Sequence, residues 1–290
     1  MSGLSVVIVT YRPGREVLDC VRSLKQMVNC PHEIIIVDNS PELPEIIECI
    51  SNEIKDIQVI SNPSNPGFGT ANNAGAALAR YPHLLFLNPD TVLCSELDNI
   101  DQFFSHNTGI VSGYCIDAAG KYKRTAGIFP TDPKLLVLFS RRLDRRPPLD
   151  NGNFTLSEVE VDYAEGSFYL IRADVFRETG GFDEGIFLYG EDYEFSYRVH
   201  LAGYRNKIVR AIEYLHVGGF NDSREPHIVN GLLYFATKHL APRRAAGVRG
   251  VLAMRFSVLL VASMTIGVFK YRYRKRVPSL AKCLARVLQP

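Results

Sequence analysis

The apolar and polar positions open on a buried strand. Leu4-Ser5-Val6-Val7-Ile8-Val9 is apolar toward both faces, as a strand covered by helices on either side must be. Glu16, Val17, Leu18, Val21, Leu24 and Met27 then recur at helical spacing before a second strand, Ile34 to Val37, which predicts a βαβ unit. Ile57 to Ile60 predicts a third strand. It is followed by the turn-rich Asn62-Pro63-Ser64-Asn65-Pro66-Gly67-Phe68-Gly69 and a small-residue helix from about Thr70 to Arg80. Leu84-Leu85-Phe86-Leu87 is too short for a buried helix and stops at Pro89, so it predicts a central strand. This alternation gives an α/β fold: a mostly parallel central sheet flanked by helices, with right-handed crossovers.

Past Asp90 the pattern loosens. Ser95 to Phe104 predicts a helix, Ile110 to Tyr114 a strand, and Lys121 to Asn153 an irregular region in which Arg141 to Asn153 forms a loop over the site. Structure returns at Tyr163 to Ile171, with a helix at about Ala173 to Thr179. An amphipathic helix, Asp192 to Ala202, follows, with Phe195, Val199 and Ala202 inward. Short strands are expected around Asn206 to Val209 and at Ile212 to His216. From Pro226 the chain is helical, and Phe256 to Phe269 is a 14-residue uncharged run between Arg255 and the cluster Lys270, Arg272, Arg274, Lys275, Arg276. A membrane span needs about 20 apolar residues. The run therefore predicts an interfacial helix with basic flanks, the alternative being a helix docked on the protein's own core.

Charge sharpens this division. At 290 residues, 46% hydrophobic and 22% charged, the chain is of ordinary globular composition. Its net charge of +2 hides an asymmetry: from Pro226 onward there are 12 Lys and Arg and no Asp or Glu, which leaves a balance of −10 in residues 1–225. Residues 1–225 are read as a catalytic domain, with a nucleotide-binding half at 1–115 and an acceptor-binding half at 116–225. Residues 226–290 are read as a basic, membrane-associating tail. An acidic lipid surface suits the tail better than nucleic acid, because the apolar run has no use on a duplex. The cysteines (Cys20, Cys30, Cys49, Cys94, Cys115, Cys283) show neither a CxxC nor a regular spacing, so they read as buried thiols. The amino-terminus reads as a first strand rather than a signal peptide.

Candidate chemistry gathers where strands end. Asp90 falls at the carboxyl end of a central strand, where α/β sheets hold ligands, so it is placed to meet a cation or a polar group; a turn aspartate after Asn-Pro is the alternative. Thr10, Tyr11 and Asp38 lie just past the first two strands, at the sheet's switch point. Gly67-Phe68-Gly69 lets backbone approach a ligand, and Asn72 and Asn73 open the next helix with donors. A dinucleotide fingerprint fails, because Gly67, Gly69 and Gly75 do not make GxGxxG and follow the third strand.

Five motifs in order carry a resemblance. They are Val7-Ile8-Val9-Thr10-Tyr11; Val37-Asp38-Asn39-Ser40; Asn65-Pro66-Gly67-Phe68-Gly69 with Asn72-Asn73-Ala74-Gly75; Leu87-Asn88-Pro89-Asp90; and Gly180-Gly181-Phe182-Asp183-Glu184 leading to Tyr189-Gly190-Glu191-Asp192. With these the chain resembles the inverting nucleotide-sugar glycosyltransferases of family 2, which have the glycosyltransferase A fold, and within them the bacterial rhamnosyltransferases of cell-surface polysaccharide assembly. The resemblance implies a nucleotide site built from Thr10, Tyr11, Asp38, Asn39, Gly67, Phe68, Gly69, Asn72, Asn73 and Asn88, with Asp38 accepting from a pyrimidine N3–H. It implies Mg²⁺ or Mn²⁺ at Asp90, the last residue of an acidic DxD-type motif, with His216 completing the shell. Asn88 stands where the family often has the first aspartate, which removes one charge from that site.

Asp192 is then the general base and Glu191 its neighbour, binding acceptor or orienting Asp192, while Glu165 and Gly166 line the acceptor side. The expected reaction moves L-rhamnose from its thymidine diphosphate onto a lipid-linked glycan of O-antigen or capsule type. It would take place peripherally on the inner face of the bacterial cytoplasmic membrane, without a nucleic-acid partner and with room for a homodimer. The alternatives are a uridine diphosphate donor carrying a hexose or N-acetylhexosamine, or a non-catalytic scaffold that binds sugar nucleotides.

Overall fold

A computed structural model describes residues 2–42, 44–54, 57–131, 157–216, 218, 224–267 and 275–289. The described residues fall into two compact units, one within 1–128, 146–187 and 191–218, the other within 129–145, 188–190 and 219–290. The expected loop from Arg141 to Asn153 lies outside the described residues.

The first unit is a central sheet with helices on both faces. β1 (Leu4–Thr10), α1 (Glu16–Met27), β2 (His32–Asp38), α2 (Glu45–Glu53), β3 (Ile57–Ser61), α3 (Phe68–Ala77) and β4 (His83–Leu87) follow the predicted alternation. Seven strands come after: β5 (Thr91–Leu93), β6 (Thr108–Ile116), β7 (Ala126–Gly127), β8 (Glu158–Val161), β9 (Tyr163–Ala164), β10 (Phe168–Arg172) and β11 (Arg205–His216). Helices α4 (Ala173–Glu178) and α5 (Glu191–Leu201) lie between the last two. The strand order is β3-β2-β1-β4-β10-β6-β11-β5, with β8 beside β11, while β7 and β9 form a separate ladder. β3, β2, β1 and β4 are parallel. β10 runs antiparallel to both β4 and β6, so the later half of the sheet is mixed.

The chain winds from β1 out to β3 and then returns to β4 on the other side of β1, which makes the carboxyl edge between β1 and β4 the switch point. Burial follows the continuous apolar pattern. Leu4, Val6 and Ile8 pack with Val17, Val21 and Leu24 of α1 on one face. Val7 and Val9 pack with Ala71, Phe182 and Phe195 on the other.

Three expectations change. The helix at Ser95 to Phe104 shrinks to one 3₁₀ turn, Ile100–Phe103, because the backbone before it is taken up by neighbours: the Cys94 N–H donates to Glu213 O and the Leu97 N–H to Met27 O. Tyr163 to Ile171 divides between β9 and β10, which belong to different sheets. The two strands expected between Asn206 and His216 are one strand, whose register against β6 shifts between Val209 and Glu213.

The second unit is helical: α6 (Glu225–His239), α7 (Pro242–Gly267) and α8 (Val277–Leu288). Val248, Leu252 and Phe256 of α7 are buried, as are Leu280, Cys283 and Val287 of α8. Arg276 and Ser279 donate to the Glu225 carboxylate at 2.8 and 3.4 Å. The apolar run is therefore not a short helix of its own. Its described part belongs to a 26-residue helix that is long and apolar enough, by length and composition, to cross a membrane. That helix buries one face and leaves Met254, Val258, Val261 and Met264 more than half exposed. Among the cysteines, Cys20, Cys30, Cys115 and Cys283 are buried free thiols, whereas Cys49 and Cys94 are exposed, against expectation.

Candidate active site

Parallel register levels the strand ends: Thr10 stands opposite Asp38, and Asp38 opposite Ser61. The Thr10 hydroxyl donates to Asp38 Oδ1 at 2.6 Å, the Ser40 hydroxyl donates to the same oxygen at 3.0 Å, and the Ser40 N–H reaches Oδ2 at 3.3 Å. Asp38 is 0% exposed, so its carboxylate is used inside the protein and not offered to a base N3–H, a departure from the expected contact. The cause is local, since Asp-Asn-Ser places a hydroxyl and an N–H two residues after the carboxylate. What faces outward here is Tyr11, 52% exposed, with the Arg12 guanidinium 5.4 Å from its ring centroid. Arg12 holds φ 47°, and its N–H donates to Ser40 Oγ at 2.7 Å.

The glycine loop and the two asparagines also differ from expectation. Gly67 adopts φ 109°, and a Cβ on it would lie 2.5 Å from Phe187 O, to which the Phe68 N–H donates at 2.9 Å. Gly69 is similarly tight against Phe182, at 3.1 Å. The close approach these glycines permit is to the protein's own 182–187 loop. Because α3 begins at Phe68, Asn72 and Asn73 lie beyond its first turn and are not free donors. Asn72 donates to Phe68 O, while Asn73 donates to Phe182 O and accepts from the Phe182 N–H, clamping the same loop. Buried Asn39 donates to Gly67 O at 3.4 Å and accepts from Asn62 at 3.1 Å.

Sheet register also assembles the candidate cation pair. β5 is antiparallel to β11 with Thr91 opposite His216, which brings Asp90 beside the histidine; His216 Nε2 is 3.3 Å from Asp90 Oδ1. The His216 side chain is 13% exposed and that of Asp90 27%. Burial raises the Asp90 pKa, but the hydrogen bond and charge of His216, with Lys123 further off, outweigh it and hold the carboxyl below its ordinary range. A Cβ on Gly218 would fall 2.5 Å from Asp90 Oδ2 and 2.9 Å from His216 Nε2, so the glycine keeps this cradle open. Neighbouring ligands on an octahedral ion with bonds of about 2.1 Å sit about 3.0 Å apart, so the oxygen and nitrogen fit one shell. Among the described residues no third His, Cys, Asp or Glu joins them. Such an ion would need substrate phosphates or water for its remaining positions.

Asp192 stands in the first turn of α5, after a turn in which Tyr189 and Gly190 hold φ 63° and 112°. Its pKa is raised to about 7, first by burial and then by the charge of Glu165, against the opposing N–H groups of Tyr193 and Gly166. Glu165 itself is exposed, and its N–H donates to Thr125 O. Glu191, 6% exposed, presents no open surface to an acceptor. The cation pair and the base share one short stretch of chain. The Asn88 N–H donates to Ser167 O at 3.1 Å, and the preceding residue, Gly166, lies against Asp192 and Phe68 with a notional Cβ 3.8 Å from each.

Several supporting residues escaped sequence reasoning. Tyr169 donates to Ala164 O and Asp192 O, at 2.5 and 2.9 Å, and pins the start of α5. Fully buried Glu194 accepts from Arg198 Nε and Nη2; Nη1 donates to Thr179 O and Nη2 also to Gly181 O, which fixes the Gly180-Gly181 turn. Glu194 and Arg198 at i, i+4 were the visible signal for that pair. Lys123, inside the irregular region, donates to His216 O and Gly218 O at 3.2 and 2.8 Å, and no sequence spacing marked it.

A central sheet with this switch point, flanked by helices, has the glycosyltransferase A type of fold. Residues 5–111 match the model of glycosyl transferase family 2. It is similar to the rhamnosyltransferase WbbL of Escherichia coli, 27% identical over 260 residues that cover 82% of this chain and 96% of that protein. It is also similar to the N-acetylglucosaminyl-diphospho-decaprenol L-rhamnosyltransferase of Mycobacterium tuberculosis, 25% identical over 90% of this chain and 94% of the other. Among solved structures, GalNAc-T7 with UDP, GalNAc and Mn²⁺ aligns with a TM-score of 0.61 at 20% identity, covering 80% of this chain and 47% of that one. The mannosyltransferase PcManGT of Pyrobaculum calidifontis with GDP-Man and Mn²⁺ gives 0.55 at 13% identity, covering 97% and 85%. These structural likenesses bear on the fold.

Proposed function

We propose that this glycosyltransferase moves L-rhamnose from thymidine diphosphate-L-rhamnose to a lipid-linked glycan with inversion, Asp192 acting as general base. The observation that carries the proposal is the pair of contacts at 166–167: Ser167 O holds the strand end that bears Asp90, and Gly166 faces Asp192. Asp90 and His216 would hold Mg²⁺ or Mn²⁺, which when bound offsets charge on the departing diphosphate. Tyr11 supplies an exposed ring for the base. Asp192, with a pKa near neutrality, suits removal of a proton from an acceptor hydroxyl, and Glu165 stands on the acceptor side. The rhamnosyl identity rests on the two rhamnosyltransferase relatives.

The exposed α7 face and the excess of Lys and Arg over Asp and Glu in the tail suit an acidic bilayer, where a lipid carrier stays; this supports a peripheral place on the inner face of the membrane. The reading is tested by incubating the protein with Mg²⁺ or Mn²⁺, a panel of sugar nucleotides and a membrane extract. Thymidine diphosphate is expected to be released from its rhamnosyl donor by wild type and not by Asp90→Ala. Preferential release of uridine diphosphate would replace the donor assignment.

A further inference from the structure

We infer that Lys123 makes capture of the divalent cation conditional on a nucleoside diphosphate; this rests on the Asp90 and His216 cation reading. Lys123 Nζ donates to Gly218 O at 2.8 Å and to His216 O at 3.2 Å, and lies 3.5 Å from His216 Nδ1. The ammonium thus stands one imidazole ring behind Nε2, the nitrogen that faces Asp90 at 3.3 Å. Asn88 occupies the position where a second carboxylate would add negative charge. In the immediate site the Lys123 ammonium therefore stands against the Asp90 carboxylate, and the two charges offset each other. A free dication gains little there and is repelled by Lys123 across the ring. A diphosphate brings at least two negative charges and reverses the balance, so ion and nucleotide raise each other's affinity by the same factor. The two carbonyl bonds hold Lys123 in place, so its charge stays in the site and is not lost to solvent.

The test measures Mn²⁺ binding by the full chain from the loss of the free-ion paramagnetic resonance signal, with and without saturating thymidine diphosphate, after subtraction of the loss that the nucleotide alone causes without protein. Wild type should bind Mn²⁺ at least about tenfold more tightly with the nucleotide, the factor expected for charges one ring apart in a water-like medium. Lys123→Gln can still donate to the carbonyls but carries no charge. It should bind free Mn²⁺ about tenfold more tightly than wild type, and its gain from nucleotide should be smaller by a similar factor. Lys123→Arg should behave as wild type. Weaker free-ion binding in Lys123→Gln would make the side chain a strut and overturn the inference. So would equal Mn²⁺ affinity of wild type with and without nucleotide, whatever the variants do. Absence of Mn²⁺ binding even with nucleotide would remove the cation reading itself, and this inference with it.

Discussion

The two units treat charge and apolar surface in opposite ways. In the first, charged groups are drawn inward and given partners: Asp38 takes two hydroxyls, Glu194 takes Arg198, and Asp90 takes His216. In the second, Glu225 answers Arg276, most of the tail's cations have no carboxylate in their own segment, and α7 turns valines and methionines outward. Buried, partnered polar groups hold a geometry to fractions of an ångström; exposed apolar groups ringed by cations hold a surface. The contrast is what the proposed division of labour, chemistry in one unit and membrane contact in the other, would produce.

Removing the base should have the largest effect. Asp192→Asn keeps an acceptor for the Tyr193 N–H but cannot take a proton, and turnover should fall by about 10³-fold or more while nucleotide affinity is retained. Turnover measured from nucleotide release, beside nucleotide binding by calorimetry, checks both halves. If affinity fell in step with turnover, Asp192 would belong to the framework that holds the donor. Next in size is the pair that shapes the approach to α5. Arg198→Met takes the guanidinium away from fully buried Glu194 and from the carbonyls of Thr179 and Gly181. Thermal unfolding should reveal a loss of about 3–5 kcal/mol.

The second unit is tested with Val258→Glu combined with Val261→Glu, both of which change the outward face of α7. If each valine contributes roughly 1.5 kcal/mol on burial in lipid, binding to acidic vesicles should weaken by about a hundredfold. Turnover on a soluble acceptor should stay as it is. Unchanged sedimentation with vesicles would show that this face does not meet the bilayer.

Legibility in the sequence followed the same division. The strands from β1 to β4 were readable because a strand buried on both faces must be apolar throughout, and Asp90 and His216 could be proposed because both stand at strand ends. The roles of Asp38, Asn72, Asn73 and Gly67 were misread for one shared reason. A polar residue or glycine in a loop looks alike whether it serves a ligand or the protein's own backbone, and only tertiary contacts separate the two. Lys123 was invisible because its partners are carbonyl oxygens 93 and 95 residues away. The length of α7 was underestimated because Arg255 was taken as a boundary of the apolar run, whereas the helix runs through it and keeps Arg249 and Arg255 partly buried, Arg249 donating to Val287 O of α8.

The smallest effect is a pH dependence of stability that sets function against folding. The Asp192 carboxyl has a pKa near 3.9 in an unfolded chain, and burial with Glu165 nearby raises it to about 7 in the fold. Below the lower value both states carry the proton, and ionisation costs the fold nothing. Between the two values the folded protein binds a proton that the unfolded chain does not, so stability falls as pH rises, and above about 7 the full cost is present. Asp192→Asn removes this dependence. Its melting temperature should exceed that of wild type at pH 8, with the gap narrowing steadily toward pH 5.5. Over the same range wild-type kcat/KM should fall about tenfold per unit below the folded pKa, as the base becomes protonated. A melting difference that stayed constant with pH would mean that Asp192 ionises in the fold as it does in water, and the environment inferred for the base would be wrong.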